Sequence, residues 1–214
     1  TLKATFVPDD LGQYDTAKAE VKLTINKAPL TVTAVNASRA YGEANPEFEL
    51  VYDGFVYGED KSVLPTPVSA SSPAEPDSPP GEYPIILSGG EAANYEITLV
   101  NGTLTVGRQT PVITWVTPEA ITYGTAIGPK QLNAEADVEG FFVYSPPGGA
   151  ILNSGEVTLR ATFTPANLDN YAKVDAEVEL TINKAPLTVT AVDVSRAYAD
   201  VNPEFELVYE GFVN

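Results

Sequence analysis

The 214-residue sequence contains no cysteine, no histidine and no methionine. Without cysteine there is no disulfide framework, no thiolate metal site and no thiol nucleophile. Without histidine the commonest general base and the commonest transition-metal ligand are gone. Without methionine there is no initiator, and the chain is expected to begin inside a longer protein. Positive charge is scarce: 12 Lys and Arg face 29 Asp and Glu, a net charge of −17. That balance sets aside nucleic acid and anionic membranes as partners. No apolar run approaches the ~18 residues of a membrane span and no signal peptide is visible, so no membrane contact by this segment is expected. Acidic surface keeps long arrays soluble and apart, and it can collect divalent cations.

What is present is repetition. Ile25 to Ala34 recurs letter for letter at Ile182 to Ala191, and Thr1–Val56 matches Thr158–Val213 at about two positions in three. A weaker repeat lies inside it. Pro29, Pro111 and Pro186 are each followed, at one constant spacing, by a Tyr: Tyr41-Gly42, Tyr123-Gly124 and Tyr198-Ala199. Unit ends also match, since Asn94-Tyr95, Asn170-Tyr171 and Gln13-Tyr14 each lead to a Leu-Thr-Val/Ile run and then to a Pro. Tandem units of about 75–80 residues, of two alternating types, follow from this. Abundant, regularly placed aliphatic and aromatic residues exclude a disordered acidic tail.

In chain order, residues 1–28 read as the C-terminal part of one module. Leu2, Ala4 and Phe6 alternate with polar residues, then Ala19, Val21, Leu23 and Ile25 do the same, predicting a half-buried antiparallel strand pair. Residues 29–107 read as a complete module, with strands around Leu30–Ala34, Phe48–Tyr52 and Tyr83–Leu87. One turn of helix is expected at Gly58–Leu64, and the Pro-rich stretch Ser71–Gly81 reads as an exposed loop. Asn101-Gly102 between Tyr95–Leu99 and Leu104–Val106 predicts a two-residue type I′ hairpin. Residues 108–185 read as a complete Ig-like sandwich of about seven strands, with a turn at Pro146–Gly149. Residues 186–214 read as the N-terminal part of another module of the first type. At Ala199, where Gly is expected, the turn is read as not requiring positive φ.

The first module type resembles the MBG (mostly beta, glycine-rich) repeats of large bacterial surface proteins. The resemblance rests on Ala28-Pro29-Leu30-Thr31-Val32-Thr33-Ala34, Arg39-Ala40-Tyr41-Gly42, Asn45-Pro46 and Tyr52 to Asp60, continued by Gly81 to Ile85 and Asn94 to Leu104. The second type resembles bacterial Ig-like repeats through Ile113-Thr114-Trp115, Ile121 to Thr125 and Leu159 to Pro165. Together these imply an adhesin-type or stalk-type extracellular repeat protein with no catalytic residues.

The candidates for chemistry are few. No Ser is served by a His and no Gly-x-Ser-x-Gly elbow occurs, so nucleophilic catalysis is set aside. Glu47 and Glu49 alternate with apolar residues, as a solvated strand face does. Calcium is the one cofactor that the oxygen-rich loops allow. Asp9, Asp10 and Asp15 share a loop, Asn167, Asp169 and Asn170 occupy the matching loop, and Asp53, Glu59 and Asp60 flank a Gly-containing turn. The competing reading is plain solubilising charge. Trp115, Phe141, Phe142, Tyr144 and Tyr57 are candidates for a sugar-stacking platform, against the commoner role of strand aromatics as core. Lys27 and Lys184 would serve an intramolecular crosslink, but both sit beside a Pro at a module joint.

The expectation is an all-β tandem array of small antiparallel sandwiches of two alternating types. It is non-enzymatic, extracellular, and works as a stiff spacer with Pro-containing links at Val106–Pro111 and Asn183–Pro186. Its partners are neighbouring modules and, through open strand edges, other copies of the chain. The alternative is a module that binds carbohydrate or another surface protein. Two framings of the repeat are open. One sets borders at Pro29, Pro111 and Pro186. The other makes residues 1–57 a domain whose Leu2, Phe6 and Val21 pack on Phe48 and Leu50.

Overall fold

The computed structural model describes residues 1–213; Asn214, the last residue of the expected partial module, lies outside them. The fold is all-β, with one 3₁₀ turn at Lys61–Val63 where a turn of helix is expected. In chain order the strands are β1 (Leu2–Phe6), β2 (Ala17–Val21), β3 (Ala28–Ala34), β4 (Ala37–Ala40), β5 (Leu50–Asp53), β6 (Thr66–Ser71), β7 (Gly81–Glu91), β8 (Tyr95–Val100) and β9 (Gly102–Gly107). They continue as β10 (Ile113–Thr114), β11 (Ile121–Thr122), β12 (Glu135–Ala136), β13 (Gly140–Ser145), β14 (Gly155–Pro165), β15 (Val174–Asn183), β16 (Thr188–Ala191) and β17 (Leu207–Glu210). The chain divides into two compact units. The first holds Thr1–Arg39, Ala44–Pro76 and Gly81–Val106; the second holds Ala40–Glu43, Asp77–Pro80 and the chain from Gly107 onward.

Each unit carries one hydrophobic core. In the first, a three-stranded sheet ordered β5-β3-β8 faces a four-stranded sheet ordered β4-β9-β7-β6. Leu30, Val32 and Ala34 of β3 meet Ile85 and Leu87 of β7 and Leu104 and Val106 of β9. In the second, Leu159 of β14 and Leu180 and Ile182 of β15 close on Ile127, with Trp115, Tyr123 and Leu132 around them. Its four-stranded sheet runs β11-β15-β14-β13, the same pattern as β4-β9-β7-β6, and β10 pairs with β12 beside it. The two Tyr-Gly turns make equivalent backbone bonds: Tyr41 N–H donates to Gly107 O at 2.8 Å and Tyr123 N–H to Asn183 O at 2.8 Å. The alternation of β14 and β15 puts each second residue in the core, as the period of two demands.

Several sequence expectations are corrected. Most strand pairs are antiparallel, as expected, but two sheets also hold a parallel pair, β3 with β8 and β11 with β15. Asn101-Gly102 forms no hairpin: β8 and β9 belong to different sheets, and the pair is the corner between them. Gly102 is needed there because a Cβ would stand 2.8 Å from the Ala34 carbonyl oxygen. Asn101 Oδ1 accepts from the Leu87 N–H at 3.0 Å, tying the corner to β7. The Pro-rich stretch is not simply an exposed loop, since Ala74 within it is buried in the first core. The second sandwich has six strands rather than seven.

The two stretches at residues 1–27 and 186–213 form isolated hairpins, β1–β2 and β16–β17. Their registers copy those of the complete sandwiches. Leu2↔Val21 and Phe6↔Ala17 correspond to Leu159↔Val178 and Phe163↔Val174. Val189↔Tyr209 and Ala191↔Leu207 correspond to Val32↔Tyr52 and Ala34↔Leu50. The expected second strand stops at Val21 instead of reaching Ile25. In its counterpart β15, Leu180–Ile182 pair with Gly155–Val157, and Ile182 and Asn183 also pair with β11. Leu2, Phe6 and Val21 are all exposed rather than packed on Phe48 and Leu50.

Candidate functional site

A buried polar cluster surrounds Arg39, in β4. Its side chain is 7% exposed. Nε donates to Asn45 Oδ1 at 2.7 Å, and the terminal nitrogens donate to the carbonyls of Glu75 and Pro76. Asn45 in turn donates from Nδ2 to Ala74 O at 2.7 Å. One guanidinium and one amide thus hold the Pro-rich stretch against the sheet, and Ala74 plugs the core beneath. The repeat carries the same signal, Arg and Asn six residues apart, at Arg196 and Asn202, whose Nε–Oδ1 distance is again 2.7 Å. There the remaining donors of Arg196 turn to the nearby carbonyls of Ala197 and Asp200.

Between these residues lies the Tyr-Gly turn. Gly42 has φ +85°, a left-handed conformation that suits glycine. The third residue, Glu43, accepts the Ala40 N–H on Oε2 at 2.8 Å, which closes the turn. Within the second unit, the Tyr41 ring meets the Tyr171 ring edge-on, with centroids 5.7 Å apart. In the second copy Ala199 adopts φ +70°, so the turn keeps its positive φ without glycine, contrary to the sequence reading.

A second construction centres on Tyr95, the aromatic residue of the Asn-Tyr pair. Buried at the head of β8, its hydroxyl accepts the Val56 N–H at 3.1 Å and donates to the Glu59 carboxylate. The bond to Glu59 is the main reason its pKa stands above the ordinary phenol value. Phe55 packs edge-on against the ring and stacks on Tyr52. One side chain therefore pins the whole loop that follows β5.

The oxygen-rich loops are built around backbone rather than around a vacant cation site. Asp10 Oδ1 accepts from Gly12 N–H at 2.9 Å. Asp60 Oδ1 caps the 3₁₀ turn through Ser62 N–H at 2.8 Å, and the bonds to Ser62 hold its pKa below the usual carboxylate value. Asn167 Oδ1 accepts from Asp169 and Asn170 N–H, and Glu59 is taken by Tyr95. Among the described residues, no such bond is seen for the side chains of Asp9, Asp15 and Asp53. Among the described residues no three Asp or Glu side chains gather where they could hold a metal.

The aromatic candidates do not form one platform. Trp115 donates Nε1–H to Gln131 O at 3.0 Å and packs into the second core against Tyr144. Tyr144 accepts from Ala134 N–H, and burial pushes its pKa up. Phe142 lies between Tyr144 and Phe163. Phe141 and Tyr57 are exposed. Lys27 Nζ donates to Ala92 O at 2.9 Å, a bond to backbone and not to a crosslinking partner. A groove of about 1070 Å³ opens on the first sandwich between the free edges of β5 and β6, lined by Pro46, Phe48, Leu50, Tyr52, Lys61 and Val68.

These features describe scaffold architecture: clamps, corners and capped turns. Residues 30–105 match the family model of the MBG domain (YGX type), and Tyr41-Gly42-Glu43 supplies the three-residue signature in that name. No curated protein matches the chain.

Proposed function

We propose that this chain is a non-catalytic structural segment, a spacer or stalk within an extracellular bacterial repeat protein of adhesin type. One observation carries the reading. Two kinds of hairpin recur 157 residues apart (Thr1 to Thr158), each with its register kept. The cross-strand ion pair recurs as Lys3–Glu20 and Arg160–Glu177, and the clamp as Arg39–Asn45 and Arg196–Asn202. What the repetition preserves is scaffold, while the oxygen-bearing loop residues differ between copies: Asp9 and Asp10 face Ala166 and Asn167. Modules begin at Pro29, Pro111 and Pro186, and the exposure of Leu2, Phe6 and Val21 supports that frame over one in which residues 1–57 close a core. The second module type is Ig-like in this reading. Small-angle scattering tests the spacer reading, with a maximum dimension well beyond that of a compact globule of this mass expected.

A second reading, a module that binds carbohydrate or another surface protein, draws its support from the groove beside β5. Its open strand edges and aromatic floor suit an extended ligand. A glycan array separates the two. Specific sub-millimolar binding that is lost in Tyr52→Ala favours the second.

A further inference from the structure

The sheet β11-β15-β14-β13 ends on β13, which pairs with β14 on one side and, among the described residues, with no strand on the other. An open strand edge invites another strand, and soluble proteins blunt such edges by shortness, by proline or by charge. The other edge strands of the two sandwiches are blunted in these ways. β6 carries Pro67 and β8 carries Glu96. β4 and β5 have four residues each, β5 ending on Asp53, and β10, β11 and β12 have two each. β13 has six residues, Gly-Phe-Phe-Val-Tyr-Ser, with neither a charge nor a proline among them. Its outward side chains, Phe141 and Val143, are each 58% exposed.

The edge is also held in shape before any partner arrives. Inward-facing Phe142 lies between Tyr144 and Phe163, and the Tyr144 hydroxyl accepts the Ala134 N–H at 3.0 Å. All six residues are paired with β14, from Gly140↔Pro165 to Ser145↔Arg160. A strand so fixed loses little freedom on docking. Alongside it a groove of about 740 Å³ opens between β12 and β13. Phe141 and Phe142 line it from β13, Glu135 lines it from β12, Glu139 stands at its end, and no Lys or Arg takes part.

These features select an occupant. The polar groups along a strand edge are main-chain N–H and C=O, whose complement is another main chain, and a sugar offers no matching ladder. A second copy of this chain would bring its own Glu135 and Glu139, and a net charge of −17, to the same place. We propose that β13 is a strand-addition site for an extended segment of another surface protein, with apolar residues at every second position and Lys or Arg between them. The apolar set packs beside Phe141 and Val143 on the outer face. The basic set turns to the groove, with its stems on the phenyl rings and its charged heads at Glu135 and Glu139. This site is separate from the groove beside β5 and independent of the spacer reading: compact scattering would remove the spacer and leave β13 as it is.

A short capped peptide of alternating Val and Lys, titrated into the isotope-labelled 214-residue chain, tests it by amide shifts and hydrogen exchange. Saturable sub-millimolar binding is expected, with the largest shifts at Gly140–Ser145, Glu135 and Glu139 and new protection along β13. A peptide of the same charge with Gly and Ser in place of Val is expected to bind about tenfold more weakly, and an alternating Val–Glu peptide not at all. Phe141→Lys, which puts a charge on the edge at an exposed position, is expected to weaken the Val–Lys peptide about tenfold. Glu135→Gln and Glu139→Gln together are expected to weaken it about fivefold. Melting of the core around Trp115 serves as the control for folding in both variants. No binding of the Val–Lys peptide, equal binding of the Gly/Ser peptide, shifts spread over other acidic surfaces, or unchanged binding in Phe141→Lys overturns the proposal. Self-association of the chain that Phe141→Lys abolishes overturns it too, by making a second copy the occupant.

Discussion

Replacing Arg39 by Met tests the scaffold reading with an internal control. Met keeps much of the packing volume and removes every donor. Three acceptors lose their charged donor: Asn45 Oδ1 and the carbonyls of Glu75 and Pro76. A charge-assisted hydrogen bond contributes ~1.5–3 kcal/mol, but water reaches carbonyls released with a freed loop. The expected net loss is about 3 kcal/mol for the first unit. For a domain of this size each kcal/mol lowers Tm by ~4–8 °C, so a fall of roughly 12–24 °C is expected. The same change at Arg196 removes an exposed side chain bonded to Asn202 and to its own neighbours, and is expected to lie within about 0.5 kcal/mol of neutral. Calorimetry gives the two transitions, and hydrogen exchange assigns them. Protection of β3, β7 and β9 should fall in Arg39→Met while that of β14 and β15 holds. Equal effects at Arg39 and Arg196, or none at Arg39, would refute the clamp.

Tyr95→Phe leaves the Val56 N–H without its acceptor and should cost ~1–2 kcal/mol in the first unit by denaturant melt. Because the Tyr95 pKa is raised in the folded state, its contribution is fully present below about pH 10 and lost as pH rises through the folded value. That alkaline loss should shrink in Tyr95→Phe. Asp60 runs the other way: its lowered pKa makes a stabilisation that is present above about pH 4 and lost as pH falls through the folded value, a loss that Asp60→Asn should abolish in an acid titration. Gly54→Ala is expected to destabilise by more than ~1–3 kcal/mol, since φ is +118° and the new Cβ would stand 2.4 Å from the Pro29 carbonyl oxygen. Chelator should leave Tm unchanged; an ion bound at a hundredfold its dissociation constant would add ~2.7 kcal/mol, and a drop of several degrees would contradict the loop assignments.

Strands whose pairing is local in sequence were the legible ones. Val157–Phe163 and Ala176–Ile182 alternate strictly, and they form the long antiparallel pair β14–β15. Parallel pairing was not legible, because nothing in Ala28–Ala34 names Tyr95–Val100, more than sixty residues away, as its neighbour. Asn101-Gly102 misled for a related reason. A corner between sheets and a tight hairpin ask for the same small and polar residues, and only the partners of the flanking strands distinguish them. The Arg39 clamp was written in the repeat as a fixed Arg–Asn spacing, but its targets, the carbonyls of Glu75 and Pro76, belong to the backbone and leave no residue signature. Asp and Asn serve as calcium ligands and as turn caps alike, so the sequence alone does not separate the two roles; the structure shows Asp10, Asp60 and Asn167 acting as caps.

The parallel pairing of β3 with β8 has a kinetic consequence. Tyr95 meets Ala28 across 67 residues of chain, while Ala185, the start of an identical strand sequence, lies 90 residues away on the other side. Loop-closure entropy favours the nearer copy by only about 0.3 kcal/mol, so a chain released from denaturant has two nearly equal choices for the strand beside β8. Synthesis removes the ambiguity. At ~5–20 residues per second, some 5–18 seconds separate the completion of β8 from the appearance of the downstream copy, long enough for the first sandwich to close on its own strand. Refolding in the tube is thus expected to give a mixture of strand partners for β8 that growth from the ribosome avoids. Direction of synthesis, rather than sequence, distinguishes the two identical strands.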